Sequence, residues 1–456
     1  MARSTTRDLT QGSPMKLVIS FTLPLLFGFL FQQLYNFVDT AIVGKYLGSE
    51  ALAAVGSTGS INFLILGFCM GICSGFAIPI AQAFGAKDEE ELRRFVANAI
   101  YVAGAIGIVM AVVTALLCPW LLRVMNTPEE IIAGAVSYIQ PIFAAIPVTV
   151  LYNMSSGILR SLGDSKTPVY FLAMAAILNI VLDIVFILVF GMGVMGAAVA
   201  TIISQLASGL GCLVVMKKRF PILHLSKDDM VFRPQLAKHL LGMGLPMGLQ
   251  YSITAIGAVV IQTAINGLGT VAVAAVTASS KLSNFFASVI DALATTMATF
   301  AGQNIGARKL SRVHQGLKAA SIIGIVYCLI AFLVVLLFAP ALIGLFVDAP
   351  EVEVINLARQ YLTVNSSLYI FLLFVNLLRF SIQGLGFARI AMFAGVAEMI
   401  ARSLVALVLV PVAGFSGACF ANPAAWIFAD LFLFPCYLHV TKRLSLTMRK
   451  DEPHAA

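Results

Sequence analysis

The segment Gln82-Ala83-Phe84-Gly85-Ala86-Lys87 returns as Gln303-Asn304-Ile305-Gly306-Ala307-Arg308, 221 residues further on (82 to 303). Self-similarity at a fixed distance sets an architecture before any single motif does, and this one extends in both directions. Upstream, Leu23-Pro24 matches Leu245-Pro246, Leu47-Gly48 matches Leu268-Gly269, and Ala53-Ala54-Val55 matches Ala274-Ala275-Val276. Downstream, Leu162-Gly163 matches Leu385-Gly386. The offset stays between 221 and 223 (82 to 303, 162 to 385), so the chain is two halves of one design with minimal insertion.

Both halves are made for lipid. Of 456 residues, 60% are hydrophobic and 11% charged, and the mean hydropathy is +0.96, far above that of a soluble globular chain. Apolar runs of about 20 residues, each long enough to cross a bilayer, are expected as helices at 17–43, 52–83, 94–118, 131–156, 167–190, 194–216, 240–266, 272–303, 316–338, 358–383, 388–410 and 414–440. Strands of a membrane barrel would alternate apolar and polar residues, and these runs do not. The expected fold is an all-α membrane protein of twelve transmembrane helices in two six-helix bundles. An even number of helices per half gives both the same sense across the membrane, related by a pseudo-twofold axis along its normal. The halves are placed at 1–216 and 239–456, joined by a connector over 217–238 that holds Lys217, Lys218, Arg219, Lys227 and Arg233. Its Asp228-Asp229 pair weakens any lipid-binding reading.

The net charge of +8 reads as topology. Of the 29 Lys and Arg residues, only Lys45, Arg123 and Arg359 fall in outward loops, and Lys281 and Arg402 fall within helices. The remainder gather on one side, as the positive-inside rule requires of a chain with both termini in the cytoplasm. A multi-pass protein of the cytoplasmic (inner) membrane is expected, with membrane lipid around it and no nucleic-acid partner. The first apolar stretch is too long for a signal peptide and is read as a retained helix. The seven cysteines lie in or beside apolar runs without metal-ligand spacing and are read as packing residues.

No phosphate-binding loop is present: Gly163-Asp164-Ser165-Lys166-Thr167 lacks the first glycine of that pattern. Neither a resident cofactor nor an ATPase partner is therefore expected, and transport would be driven by buried ionisable residues. The intramembrane acids are Asp39, Asp183, Asp291, Glu398 and Asp430, and such residues are expensive enough in a bilayer to read as functional. Asp39 precedes the outward Lys45, Asp183 precedes the turn at Gly191, and Thr201 follows Gly193. At about 1.5 Å per residue these three share one depth, and Asn179 lies one turn before Asp183 on the same helix face. Two adjacent carboxylates cannot both stay ionised cheaply, so the set would hold a proton. Equally it would hold a sodium ion, with Asn179 and Thr201 adding neutral oxygens. In the second half, Glu398 and Arg402 are one turn apart and form a candidate charged pair. By the repeat they match Ala175 and Asn179, so equivalent helices carry different chemistry. Asp291 is read as attracting a cationic substrate or pairing with Lys281, and Asp430 as a structural residue near a helix end.

At these residues the chain resembles the multidrug and toxic compound extrusion family. The likeness is carried by Leu23-Pro24, Asp39-Thr40, Ala81-Gln82-Ala83-Phe84-Gly85-Ala86, Gly163-Asp164-Ser165-Lys166-Thr167-Pro168 and Gly302-Gln303-Asn304-Ile305-Gly306-Ala307. The resemblance implies two bundles forming a V around a central cleft, with alternating access, and export driven by H+ or Na+. Asp39, Asn179, Asp183 and Thr201 are similar to the first-lobe cation site of the family's DinF-like branch. The sodium-coupled branch has an acid in its seventh helix, where this chain reads Gln250-Tyr251-Ser252-Ile253-Thr254.

Flat organic cations need apolar and aromatic walls with an acid for the charge. Phe31, Gln32, Tyr35, Asn36, Asn153, Met154, Gln205, Gln250, Tyr251, Asn284 and Asp291 are the candidates for such a cleft. Export of small organic cationic or amphipathic substrates by a monomer is the expected function. The alternative is a flippase for lipid-linked oligosaccharides, which would line its cleft with several cationic residues. No acid, base and nucleophile set at plausible spacing points to an enzyme.

Overall fold

An apolar chain in lipid must satisfy its backbone internally, which leaves helices as the elements of these runs. The computed structural model describes residues 7–125, 127–344 and 352–450, and the secondary structure it shows there is helical. In the first half α1 (Pro14–Ser57), α2 (Gly59–Ala86), α3 (Glu89–Val124), α4 (Glu129–Ala144), α5 (Ile146–Ser161), α6 (Lys166–Ile184) and α7 (Val194–Arg219) follow one another. The second half has α8 (Pro234–Asn266), α9 (Thr270–Gly306), α10 (Leu310–Ile343), α11 (Val352–Ser367), α12 (Tyr369–Gly384), α13 (Ala388–Leu404), α14 (Val410–Ala418) and α15 (Ala421–Lys450).

Among the described residues, ten helical segments are individually long and apolar enough to cross a membrane, and there are up to twelve where each of the bent pairs α4–α5 and α11–α12 is taken as one span. Each pair, expected as one helix at 131–156 and at 358–383, is bent by 50°. In the first pair Pro147, just after the bend at Ala145, has no N–H to give to the preceding turn and breaks the hydrogen-bond ladder there, while Pro141 lies one turn before the bend. The second pair has no proline at its bend. There Asn365 Nδ2 donates to the Tyr361 carbonyl (2.9 Å), Ser366 Oγ to Thr363 (3.2 Å) and Ser367 Oγ to Val364 (2.8 Å), drawing side chains onto the backbone acceptors of the last turn. The repeat also shows in the backbone after α2 and α9. Among the described residues, the non-glycine positions with positive φ are Lys87 (61°) and Arg308 (59°), equivalent residues that end equivalent helices.

The chain divides into two compact units: residues 1–8 with Leu23–Gly248, and Leu9–Thr22 with Leu249–Ala456. The leading turns of α1 thus belong to the second unit, and the connector with the leading turns of α8 to the first. Within the first unit, α2 and α8 cross where Gly71 and Gly75 meet Met247, Gly244 and Gly248. A Cβ on Gly71 would lie 2.6 Å from the Met247 carbonyl oxygen, and one on Gly75 would lie 2.5 Å from Gly244 Cα, so only glycines permit this approach. The connector, expected as a solvated bridge, is docked on α3. Asp229 accepts from Arg93 Nε (3.0 Å), Tyr101 donates to the Met230 carbonyl (3.0 Å), and the Arg233 N–H donates to Asn98 Oδ1 (2.8 Å). In the second unit the Gln303-Asn304 end of α9 clamps the leading residues. Gln303 Oε1 accepts from the Leu9 N–H (2.9 Å), while Lys309 Nζ reaches the Thr10 carbonyl (3.0 Å) and Arg312 Nη2 the Gly12 carbonyl (3.0 Å). The phosphate-loop look-alike is a helix cap: Asp164 Oδ1 accepts from the N–H groups of Lys166 and Thr167, each at 3.0 Å.

Candidate ion-coupling site

Helices α1, α6 and α7 of the first unit bring Asp39, Asn179, Asp183 and Thr201 together. Asp39 is 7% exposed, and Asn179 and Asp183 are fully buried. The Asp39 and Asp183 carboxyl groups lie within interaction range of each other, and two carboxylates so placed cannot both stay ionised cheaply. The Asn179 amide orientation that satisfies its neighbours donates from Nδ2 to Asp183 Oδ2 at 2.8 Å and accepts from the Thr201 N–H at 3.1 Å. Thr201 Oγ1 shares a hydrogen bond of 2.9 Å with the Tyr35 hydroxyl. Asn179 and Asp183 meet because four residues are one helical turn, and α6 runs directly from Asp183 into a π turn, Val185–Val189, a distortion frequent at functional positions.

Two tyrosines complete this centre. Tyr35, expected as a cleft residue, belongs to the network through Thr201. Tyr138 of α4, 9% exposed, lies close enough to feel the charges of Asp39 and Asp183. It escaped sequence reading because a tyrosine in an apolar helix carries no spacing signal. The donor set bears on which cation can be held. Asn179 Oδ1 and Thr201 Oγ1 are both engaged within the protein, so a proton fits the arrangement as it stands. Sodium would need the Asn179 amide turned over, which brings its oxygen toward the carboxylates and forms an oxygen-rich site.

In the second unit Arg402 Nη1 lies 3.7 Å from Glu398 Oε2, but the tighter partner of Glu398 is Arg379 of α12, whose Nη2 donates to Oε1. Arg379 is only 6% exposed and corrects the reading in which Lys281 and Arg402 alone were central. Its signal was present: a lone arginine inside the apolar run from Phe371 to Ile382. Asp430 is a second correction. Because α15 extends to Lys450, this residue is interior to the helix and buried rather than near an end. Pairing of Asp291 with Lys281 is excluded by geometry, since ten residues along the continuous α9 separate them by about 15 Å.

The cleft candidates divide by exposure. Phe31, Asn36, Asn284 and Asp291 are exposed, while Gln32, Tyr35, Asn153, Gln205 and Tyr251 are half-buried. Asn153 Nδ2 donates to the Thr149 carbonyl (2.8 Å) and Thr149 Oγ1 to Gln205 Oε1 (2.8 Å). Met154 is buried in the first unit's apolar core. Gln250 is buried and accepts from Gln383 Nε2 at 2.7 Å. Neither side chain is available to a ligand in this conformation.

The sequence profile of MatE matches residues 24–185 and 246–408, one match in each half. The chain belongs to the MatE family. Among its MatE relatives, the probable multidrug resistance protein YoeA of Bacillus subtilis (strain 168) is 30% identical, with 81% of each chain covered. The FAD transporter of Shewanella oneidensis MR-1 is 26% identical over 74% of this chain and 75% of that protein. The fold superposes on a structure of a multidrug resistance MATE family transporter of the MOP superfamily, in an outward-facing conformation, with a TM-score of 0.91. That comparison has 23% identity and covers 97% of this chain and 99% of the other. The MatE protein described here is a multi-pass membrane transporter of the multidrug-efflux class.

Proposed function

We propose that this protein is a secondary active exporter that carries organic cations out of the cell against protons, by alternating access. It would lie in the cytoplasmic (inner) membrane as a monomer with both termini in the cytoplasm, and needs no ATPase. The observation that carries the reading is the Asp39–Asp183 pair, two carboxyls in one buried site with Asn179, Thr201 and Tyr35 already bonded around them. Loading a proton there removes a buried charge and unloading restores it, so the site can exchange one cation for another by charge alone. Asp291 and Asn284, two turns apart on one exposed face of α9, supply an acid and an amide for a cationic substrate. Sodium is the second reading, favoured by the oxygen-rich set that a turned Asn179 would complete.

A flippase for lipid-linked oligosaccharides would offer cationic side chains to an anionic headgroup, and the relative described as an FAD transporter makes that class of cargo worth weighing. Arg379 and Arg402 are both buried against Glu398, which argues against the anion reading. The test is ethidium efflux from de-energised, dye-loaded cells on re-energising, comparing wild type, Asp183→Asn and empty vector. Uphill export by wild type alone supports the proposal, with a proton jump and a sodium jump then separating the two ions. Wild type equal to empty vector, with the protein present in the membrane, overturns it.

A further inference from the structure

We propose that Asp430 is a second proton-exchanging carboxyl, held in the second unit by the Arg379–Glu398–Arg402 cluster. Asp430 lies on the interior of α15, is 5% exposed, and neither of its carboxyl oxygens receives a hydrogen bond. A carboxyl buried at membrane depth without a partner is among the least favourable placements for an acid, and calls for a reason. The helices packed against α15 supply one. Arg379 on α12 and Glu398 on α13 are close enough for their charges to act on Asp430, and Arg402 on α13 completes the cluster. Other titratable groups lie on the helices packed against α15, and the Tyr369 hydroxyl among them is buried without a hydrogen-bond partner. Tyr369 of α12 packs on Trp426 one turn before Asp430. On α10, His314 bonds Tyr437 (3.0 Å) and the Tyr327 hydroxyl donates to the Phe286 carbonyl (2.7 Å).

The cluster has donors to spare as well as an unsatisfied acid. Arg379 Nε and Arg402 Nη1 have no acceptor. With Asp430 neutral, two guanidinium groups and one carboxylate leave a single positive charge, and both donors stay unmatched. Ionised Asp430 neutralises the set and gives those N–H groups an acceptor, so Arg379 can turn from Glu398 alone to a bridge between Glu398 and Asp430. Loss of the proton thereby changes how α15 is tied to α12 and α13. A metal cation is the wrong occupant, because two guanidinium groups repel it. This deepens the proton-antiport reading by adding a group to it, but the group's titration can be followed without any transport.

The experiment is pH-titrated infrared difference spectroscopy of the full chain in lipid, reading the carbonyl stretch of protonated carboxyls. The variants are Asp430→Asn, Asp430→Glu and the double variant Asp39→Asn/Asp183→Asn. Wild type and the double variant should share a titrating band that is lost in Asp430→Asn and displaced in frequency in Asp430→Glu. Proton uptake over the same range should fall by one per chain in Asp430→Asn. An Asp430→Asn spectrum matching wild type in a folded protein overturns the proposal, as does a band that does not change with pH. A wild type that fails to export ethidium but shows the Asp430 band sinks the antiport reading and leaves this site standing.

Discussion

The α2–α8 crossing of the first unit and the α1–α9 crossing of the second occupy the same place in the repeat, yet they close by different chemistry. A Cβ on Gly75 would lie 2.5 Å from Gly244 Cα, and one on Gly244 would run into the Phe76 ring of the same helix as Gly75. Their counterparts, Thr296 and Thr22, meet through a 2.8 Å hydroxyl hydrogen bond. The bends repeat the lesson, with the same 50° reached by prolines in α4–α5 and by hydroxyl and amide side chains in α11–α12. The polar centres diverge furthest: two carboxyls with an amide and hydroxyls in the first unit, two guanidinium groups with two acids in the second. Duplication has kept the path of the backbone and released the side chains, so the halves can carry different tasks on one scaffold.

The comparison is tested most severely by the acids of the first unit. Asp39→Asn and Asp183→Asn keep the shape of the site and remove its exchangeable charge. Each is expected to leave the protein in the membrane while uphill ethidium export falls to the empty-vector level. Preserved uphill export in both would show that the first unit is not the coupling half. The next effect lies in the second unit. Arg379→Ala strands Glu398 without its closest partner, and breaking a buried pair in this way typically costs about 3–5 kcal/mol. Thermal unfolding in detergent should show the loss, and an Arg379→Met/Glu398→Leu/Arg402→Met protein, in which neither guanidinium nor Glu398 is left without its partner, should recover much of it. No difference between the single and triple variants would mean that the Arg379–Glu398 pair is not the tie between α12 and α13.

The backbone half of this picture was legible in the sequence because lipid reduces the choices: an apolar run of sufficient length has to be a helix, and a repeat fixes where its partner lies. Asp39, Asn179, Asp183 and Thr201 could be placed together because a rise per residue converts sequence position into depth. Side chains whose meaning depends on a neighbouring helix were not legible. Tyr35 and Tyr138 look like any aromatic in a membrane helix until Thr201 and the carboxyls are seen beside them. Arg379 was hidden in the tally of inward charges, and the bend at Leu368 has no proline to announce it. The connector's Asp228-Asp229 pair spoke in the sequence only against a lipid-binding patch, whereas Asp229 is held by Arg93 and Ser226.

The two helix crossings can be exchanged by mutation. Gly75→Thr forces a side chain into a contact that has no room for Cβ, and overpacking of this kind costs about 1–3 kcal/mol. Thr296→Gly removes a hydroxyl pair worth roughly 0.6 kcal/mol by the average for membrane proteins. Unfolding in detergent should therefore rank Gly75→Thr as the more damaging change, and the opposite order would show that the first crossing has slack.

The smallest effect separates charge inside the membrane from charge outside it. In the connector, the Ser226 N–H and hydroxyl, with Arg93, hold the Asp229 carboxyl below its usual range. A carboxylate whose pKa is lowered on folding stabilises the docked connector above the ordinary carboxylate pKa of about 4, and the contribution is lost as pH falls through the lowered value. Asp229→Asn should thus cost about 1 kcal/mol or less, as partly exposed ion pairs do. Amide hydrogen exchange over Ser226–Val231 should be faster in the variant at neutral pH, and wild type should approach it only on acidification. Because that change is confined to acid, Asp229 adds no pH dependence of export near neutrality. Equal exchange in the two proteins at neutral pH would show that the Arg93 contact does not hold the connector, and would return Asp229 to the solvated role its sequence suggests.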